Sequence, residues 1–337
     1  MSKDDTRYTY AVSRIRALEN RLLDRNRIES MLEAKTHQDV LKILSETDYA
    51  EVISEMRDDY DYERALATER QNIVAMLKKI SPEPDIINLL ILRYDFHNLK
   101  VLLKAKYLEE SADHLLVDAG SVDSSEMKKI IEEENFRELP PFMRAAAESA
   151  MQEFHESEDP QIISFILDKQ LYESLVALAK EHQSDFLTRY FRVQIDLTNI
   201  SAFLRVKNLN KDRNFMENVL LDHGSIEKQV FIQLFMEPEP ADALIAKFLN
   251  SDYASIIETG VKEWTESHST TYFEKLADNY LLNYAKTAKM IVFGVEPLLA
   301  YLLAKEIEIR IIRMIMVGKL NDIPPEEIRE RLRDVYA

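Results

Sequence analysis

Three groups of residues in this chain have side chains capable of chemistry, and each would need a particular spacing to perform it. The run Asp58-Asp59-Tyr60-Asp61 places three carboxylates within four positions, the raw material of a magnesium-binding box. Such a box needs a second aspartate-rich set facing it and a basic clamp for a diphosphate, and the spacing here supplies neither. The run instead opens an apolar helical stretch, where acidic side chains complement the helix dipole. The seven histidines are scattered, with no His-Glu-x-x-His and no paired ligand spacing. His97 lies inside a long helical run and is expected to be buried or interfacial rather than a ligand. The five glycines are isolated, so no phosphate loop exists. The chain has no cysteine, which excludes disulfides, thiolate zinc sites and cysteine nucleophiles and fits a reducing cytoplasm. No catalytic, cofactor-binding or metal-binding residue is therefore assigned.

Another set of charged residues recurs. An aromatic or apolar residue, an acid and a base open a helical run at Tyr62-Glu63-Arg64, Leu167-Asp168-Lys169 and Phe273-Glu274-Lys275, with the acids 105 and 106 residues apart. A second acid follows 28–32 residues later inside an apolar helix: Asp95, Asp196 and Glu306. Around two of these the match extends further, to Asn98 and Asn199, to Lys106 and Lys207, and to Gly120-Ser121 and Gly224-Ser225. Asp39 to Ile53, with its Asp48-Tyr49-Ala50, is echoed by Asp242 to Ile257, with Asp252-Tyr253-Ala254. A period near a hundred residues is too long for a solenoid unit and has the size of a small domain. The pattern predicts a triplicated helical domain, with copies at 1–110, 111–212 and 213–337, able to close around a pseudo-threefold axis. The repeated acids have two readings: carboxylates that pair with a basic or amide neighbour to hold helix packing, or a shared surface presented to a partner.

The elements that must position these residues are helices. Leu, Ile, Ala, Glu, Lys and Arg dominate, and Gly and Pro number only 5 and 10 in 337 residues. The spacing predicts helices over Tyr8–Leu32, Gln38–Leu44 with Thr36 as cap, Glu63–Ile80, Asp85–Lys106, Phe142–His155, Gln161–Lys180 and Gln183–Val206. Further helices are expected over Ser225–Met236, Ala241–Leu249, Ile256–Trp264, Thr271–Met290 and Glu296–Val317. Gly318 is expected as a helix stop, and Asn321-Asp-Ile-Pro-Pro325 as the start of a last short helix. Glu109–Glu126 and Leu139-Pro-Pro141 are expected as linkers. No run alternates like a strand with hairpin turn signals. The opening Met-Ser-Lys-Asp-Asp is not an apolar leader, and the most apolar stretch, Met290–Ala304, carries Glu296 and is too short to span a bilayer. The net charge of −17 disfavours binding to nucleic-acid backbones and to anionic lipid, and it suits solubility or a basic protein partner.

The segment from Val292 to Leu320 is the most specific. Phe293-Gly294, Glu296-Pro297, Tyr301, Lys305-Glu306, Arg310, Arg313 and Gly318 closely resemble the C-terminal signature of the central-stalk C subunit of V/A-type rotary ATPases, termed d in the eukaryotic enzymes. Leu92-Arg-Tyr-Asp95-Phe-His-Asn98-Leu-Lys100 and the segment from Tyr8 to Glu19 resemble the same family, so the likeness covers essentially the whole chain. The resemblance implies an all-α fold of three similar domains in a funnel. It implies a non-catalytic rotor component, peripheral at the cytoplasmic face, joining the central shaft subunits (D and F type) to the membrane ring of c/K-type proteolipid. It implies no cofactor and no nucleic acid, and coupling to proton or sodium transport. Asp95, Asn98, Asp196, Asn199, Phe293, Glu296, Glu306, Arg310 and Arg313 are the candidate partner-binding residues. Glu306 and Arg310, four apart, can pair with each other. Two other readings compete: a helical-repeat adaptor unrelated to the ATPase, separated by co-purification, and a helical prenyl-diphosphate enzyme, separated by magnesium and diphosphate binding.

Overall fold

The computed structural model describes residues 5–108 and 110–337, and these form helices and loops without a strand. The first four residues of the opening segment and Glu109 of the expected linker lie outside the described residues. In chain order the helices are α1 Thr9–Glu19, α2 Arg25–Glu33, α3 His37–Leu44, α4 Ala50–Ser54, α5 Tyr62–Ile80, α6 Pro84–Leu108, α7 Ser124–Glu133, α8 Pro141–Ser157 and α9 Pro160–Glu181. They continue with α10 Asp185–Asn208, α11 Arg213–Val219, α12 Lys228–Phe235, α13 Pro240–Phe248, α14 Ala254–Ser267, α15 Thr271–Lys286, α16 Glu296–Leu320 and α17 Pro325–Arg331.

Local chemistry explains the boundaries. Asp24, Thr36, Asp123, Asp159, Ser184 and Asp212 each accept an otherwise unpaired N–H in the first turn that follows. Proline opens α8, α9, α13 and α17, where its missing N–H costs nothing. Glu134, Glu158 and His268 adopt left-handed backbone as helices end.

Three expectations fail for identifiable reasons. The helix expected over Tyr8–Leu32 breaks between Glu19 and Arg25, because Asp24 caps α2 and the released N–H of Leu23 turns to a buried carboxylate, Glu308. Three short helices, α4, α7 and α11, lie where linker or no element was expected; α7 and α11 are each started by an aspartate cap. Gly318 does not stop a helix. It lies inside α16, where any Cβ would collide with the Ile328 side chain of α17.

The chain separates into two compact units. One comprises the residues up to Ile87 together with Glu274–Ala337, and the other Asn88–Phe273. In the first, α16 is the central element and packs on α1, α3 and α5. Its Leu298, Ile309, Ile312, Ile315 and Met316 are at most 1% exposed, each contributing about 1.5–3 kcal/mol of apolar burial. In the second, α9 packs on α8 and α10, and α13 on α14. Both units are held by helix-on-helix apolar contact, and the polar groups buried inside them have specific partners.

Candidate functional site

The repeated acids are the natural starting point, because a buried carboxylate must be bonded. Asp95 on α6 is fully buried. It accepts the Ser121 N–H at 2.8 Å, the Ser121 hydroxyl at 2.8 Å and the Val122 N–H at 3.0 Å. One turn on, Asn98 clamps the same loop from both sides: its amide donates to the Val117 carbonyl at 2.8 Å and its oxygen accepts the Val117 N–H at 2.8 Å. Asp196 on α10 accepts the N–H groups of Ser225 at 3.0 Å and Ile226 at 3.3 Å and the Tyr253 hydroxyl at 2.7 Å. Asn199 clamps Leu221 in the same reciprocal way, at 2.9 and 2.8 Å. Gly120 and Gly224 are required where they are, since a Cβ at either would strike the aspartate oxygen. Burial pushes the Asp196 carboxyl above its ordinary value, against the downward pull of Tyr253 and Ser225.

The long helices carry a further shared contact. Lys106, eleven residues after Asp95, donates to the Ile131 carbonyl at the end of α7 at 2.9 Å. Lys207, eleven after Asp196, donates to the Phe235 carbonyl at the end of α12 at 2.7 Å. Each lysine satisfies a terminal helix carbonyl and complements the helix dipole.

The third copy corrects the alignment. Glu308, not Glu306, takes the role of Asp95 and Asp196. It accepts the Leu23 N–H and the Tyr49 hydroxyl, the latter at 3.0 Å. Eleven residues later Lys319 donates to the Leu32 carbonyl near the end of α2 at 2.6 Å. Five residues after Asp95 and Glu308 a base follows, whereas Ser201 stands at that place after Asp196. Lys100 pairs with Asp168 at 2.5 Å, and Arg313 holds Glu63 through two nitrogens at 2.8 Å. The tyrosines of the Asp-Tyr-Ala echo, Tyr49 and Tyr253, both donate to the repeat acid. The loop and helix that complete the third long helix thus come from the start of the chain. Sequence reasoning missed Glu308 because its loop partner is 285 residues away. The signal that could have found it is the lysine eleven residues on. Ile311 stands in the asparagine's place, so the amide clamp is absent from this copy.

Around Glu308 the first unit buries a charged cluster. Lys305 is 2% exposed and lies 3.0 Å from both Glu69 and Glu308, with its ammonium 4.1 Å from the centre of the Tyr49 ring. Burial disfavours the Lys305 charge, but Glu308 and Glu69 outweigh it and hold its pKa above the ordinary lysine value. Burial also raises the Glu308 carboxyl, opposed chiefly by Lys305.

The remaining candidates fall into two groups. Glu306 accepts from Arg70 at 3.1 Å, while Arg310 turns to Asp278 at 2.8 Å rather than to Glu306. Arg310 is exposed, and Glu306, Arg313 and Phe293 are half-buried. Gly294 sits at φ +131°, and Glu296 and Pro297 open α16 as expected, with Glu296 only 4% exposed. Asp95, Asn98, Asp196 and Asn199 are buried and bonded to their own loops, which supports the packing reading for these four. His97 is exposed rather than buried, and its ring meets the Leu115 carbonyl at 2.9 Å. In the acidic run, Asp61 occupies the N-cap position of α5, and Asp59 accepts from Gln38 at 2.7 Å.

Comparison with known proteins matches nearly the whole chain. A family model described as ATP synthase (C/AC39) subunit matches residues 11–331. The C subunit of the V-type sodium ATPase of Enterococcus hirae is 31% identical over 322 residues, which cover 96% of this chain and 97% of that protein. The C subunit of the A-type ATP synthase of Methanosphaera stadtmanae is 28% identical over 96% of this chain and 87% of its own. Its counterpart from Methanocaldococcus jannaschii is 24% identical over 96% and 86%. No helix among the described residues is long and apolar enough to cross a membrane. With the family match running from α1 through α17, the chain belongs to the ATP synthase (C/AC39) subunit family.

Proposed function

We propose that the chain is the non-catalytic rotor subunit of a V/A-type ATPase. In this reading it is a socket between the central shaft and the membrane ring, peripheral at the cytoplasmic face, that transmits torque for ion transport. The observation that carries the proposal is the family match over nearly the whole chain, to relatives named as the C subunits of V-type and A-type enzymes. The repeated carboxylate staples support the reading of three similar helical domains, and the funnel is what the family resemblance implies.

A torque coupler must resist deformation, because yielding would store rotation as internal strain. Close-packed helices are stiff. The buried staples add stiffness of another kind, since each joins a long helix to a loop through several hydrogen bonds at once. Under this reading Asp95, Asn98, Asp196 and Asn199 shape the socket from within. Phe293, Glu306, Arg310 and Arg313 lie closer to its contact surfaces, and Glu296 fixes the turn that carries Phe293. Contacts between a ring of many identical loops and a socket of three similar faces cannot be one-to-one, so adaptable polar contacts fit better than one deep apolar pocket.

The test is purification of the membrane ATPase from cells carrying the wild-type chain or Arg310→Glu, an exposed position whose partner Asp278 is also held by Arg333. Recovery of the chain in the complex distinguishes the coupler from an unrelated helical adaptor. Loss of ATP-driven ion transport in the variant, with ATP hydrolysis and the melting of the isolated chain retained, is the expected result. Absence of the wild-type chain from the complex would refute the proposal.

A further inference from the structure

The segment between α15 and α16 does something that the chain's own fold does not require. After α15 the backbone makes a short 3-10 turn over Thr287–Met290 and reaches Glu296 through a bend. Met290 is 85% exposed and Val292 64%, beside the half-buried Phe293. Single exposed apolar residues are ordinary, but these lie two apart on backbone that is firmly held. Arg16 of α1 donates to the carbonyls of Ala288 at 2.7 Å and Ile291 at 2.9 Å, one on each side of Met290. The other nitrogen of Arg16 is fixed by Glu19 at 2.7 and 2.8 Å, and Glu19 also accepts the Tyr336 hydroxyl at 2.8 Å. Lys289 donates to the Tyr336 carbonyl at 3.0 Å and lies 4.4 Å from the centre of its ring. The segment is thus anchored to α1 and to the C-terminal segment while its apolar side chains point to solvent.

The charge around these side chains is also local. Lys286 and Lys289 both lie within four residues before Met290, in a chain whose net charge is −17, while the charge of Arg16 is met by Glu19. Lys286 is half-buried, and burial followed by the Lys289 charge pulls its pKa down, with Asp334 offsetting part of the effect. A carboxylate brought close would oppose that downward shift.

We propose that Lys286–Phe293 is a preformed docking tip, inserting Met290 and Val292 into an apolar socket edged with carboxylates on a neighbouring protein of the complex. The proposal rests on the reading of this chain as a component of the ATPase. Holding the tip rigid before contact removes the ordering cost that a mobile loop would carry into binding. A lipid surface is the poorer occupant. Membrane anchoring needs a broad apolar face rather than a few protruding side chains.

The experiment places a photo-crosslinker in the full-length chain, as Met290→p-benzoylphenylalanine, and irradiates the ATPase complex purified from membranes. The expected adduct joins position 290 to a peptide of another protein of the complex bearing Asp or Glu near the attachment point. The double variant Met290→Ser/Val292→Ser, unchanged in melting, should be retained in the complex about tenfold more weakly or worse. Adducts confined to lipid, or retention of the double variant at the wild-type level, would overturn the tip while leaving the ATPase reading intact. Failure to find the chain in the purified complex would overturn both.

Discussion

The charged cluster in the first unit allows a sharp test of how this chain is held together. Replacing Lys305 with methionine keeps most of the side-chain volume and removes the ammonium. Glu69 and Glu308, whose side chains are 12% and 6% exposed, then lose the cation 3.0 Å from each. Breaking a buried pair from one side costs about 3–5 kcal/mol, because a buried charge is left uncompensated. Two carboxylates share Lys305, so the upper part of that range is expected at neutral pH. Protonation limits the loss: the Glu308 carboxyl is already raised by burial and would rise further once Lys305 is gone. The variant should therefore recover part of its deficit as pH falls toward the ordinary carboxylate range, about 4. Adding Glu308→Gln to Lys305→Met should return a large share of the lost stability. The exposed pair Lys262–Glu258, 64% and 48% exposed, is the control; Lys262→Met should change stability by no more than about 0.5 kcal/mol. The assay is urea unfolding with linear extrapolation, comparing midpoints at constant slope. A loss below about 1 kcal/mol in Lys305→Met, or a double variant as unstable as the single, would show that the cluster does not hold the unit as described.

Three further outcomes are expected. Gly318→Ala should destabilise by about 1–3 kcal/mol through overpacking against Ile328, although alanine is the better helix former; a more stable variant would mean that α17 does not pack where described. Burial raises the Asp196 carboxyl, so the folded state binds its proton more readily than the unfolded chain does. That contribution is complete below the unfolded value, about 3.9, and fades as pH rises through the folded one. The stability difference between wild type and Asp196→Asn should accordingly shrink as pH rises from about 4, and a difference that grows would reverse the assignment. Calorimetric titration of the purified chain with magnesium and ATP should give no micromolar binding, and a clear micromolar isotherm would contradict the non-catalytic reading.

Much of the fold was legible because it depends on local chemistry. Helix-favouring composition, Thr36 as a cap, the proline breaks after α5 and before α13, and Glu296-Pro297 at the start of α16 act through neighbours a few residues away. The recurrence of Asp95-x-x-Asn98 and Asp196-x-x-Asn199, each followed by a Gly-Ser turn, was visible for the same reason: helix, loop and bonding groups lie within one short stretch. The third copy was not, because its carboxylate and its loop stand at opposite ends of the chain.

The sequence by itself thus determined the helical class, the period of the repeat and the family resemblance, all of which follow from residue types and spacing along the chain. Tertiary structure decided which acid serves the third copy. It also paired Glu306 with Arg70 and Arg310 with Asp278 instead of with each other, and made Gly318 a packing contact rather than a stop. A helix presents several acids and bases at equivalent spacing. Only the groups that packing brings within about 3 Å determine which of them are desolvated and bonded.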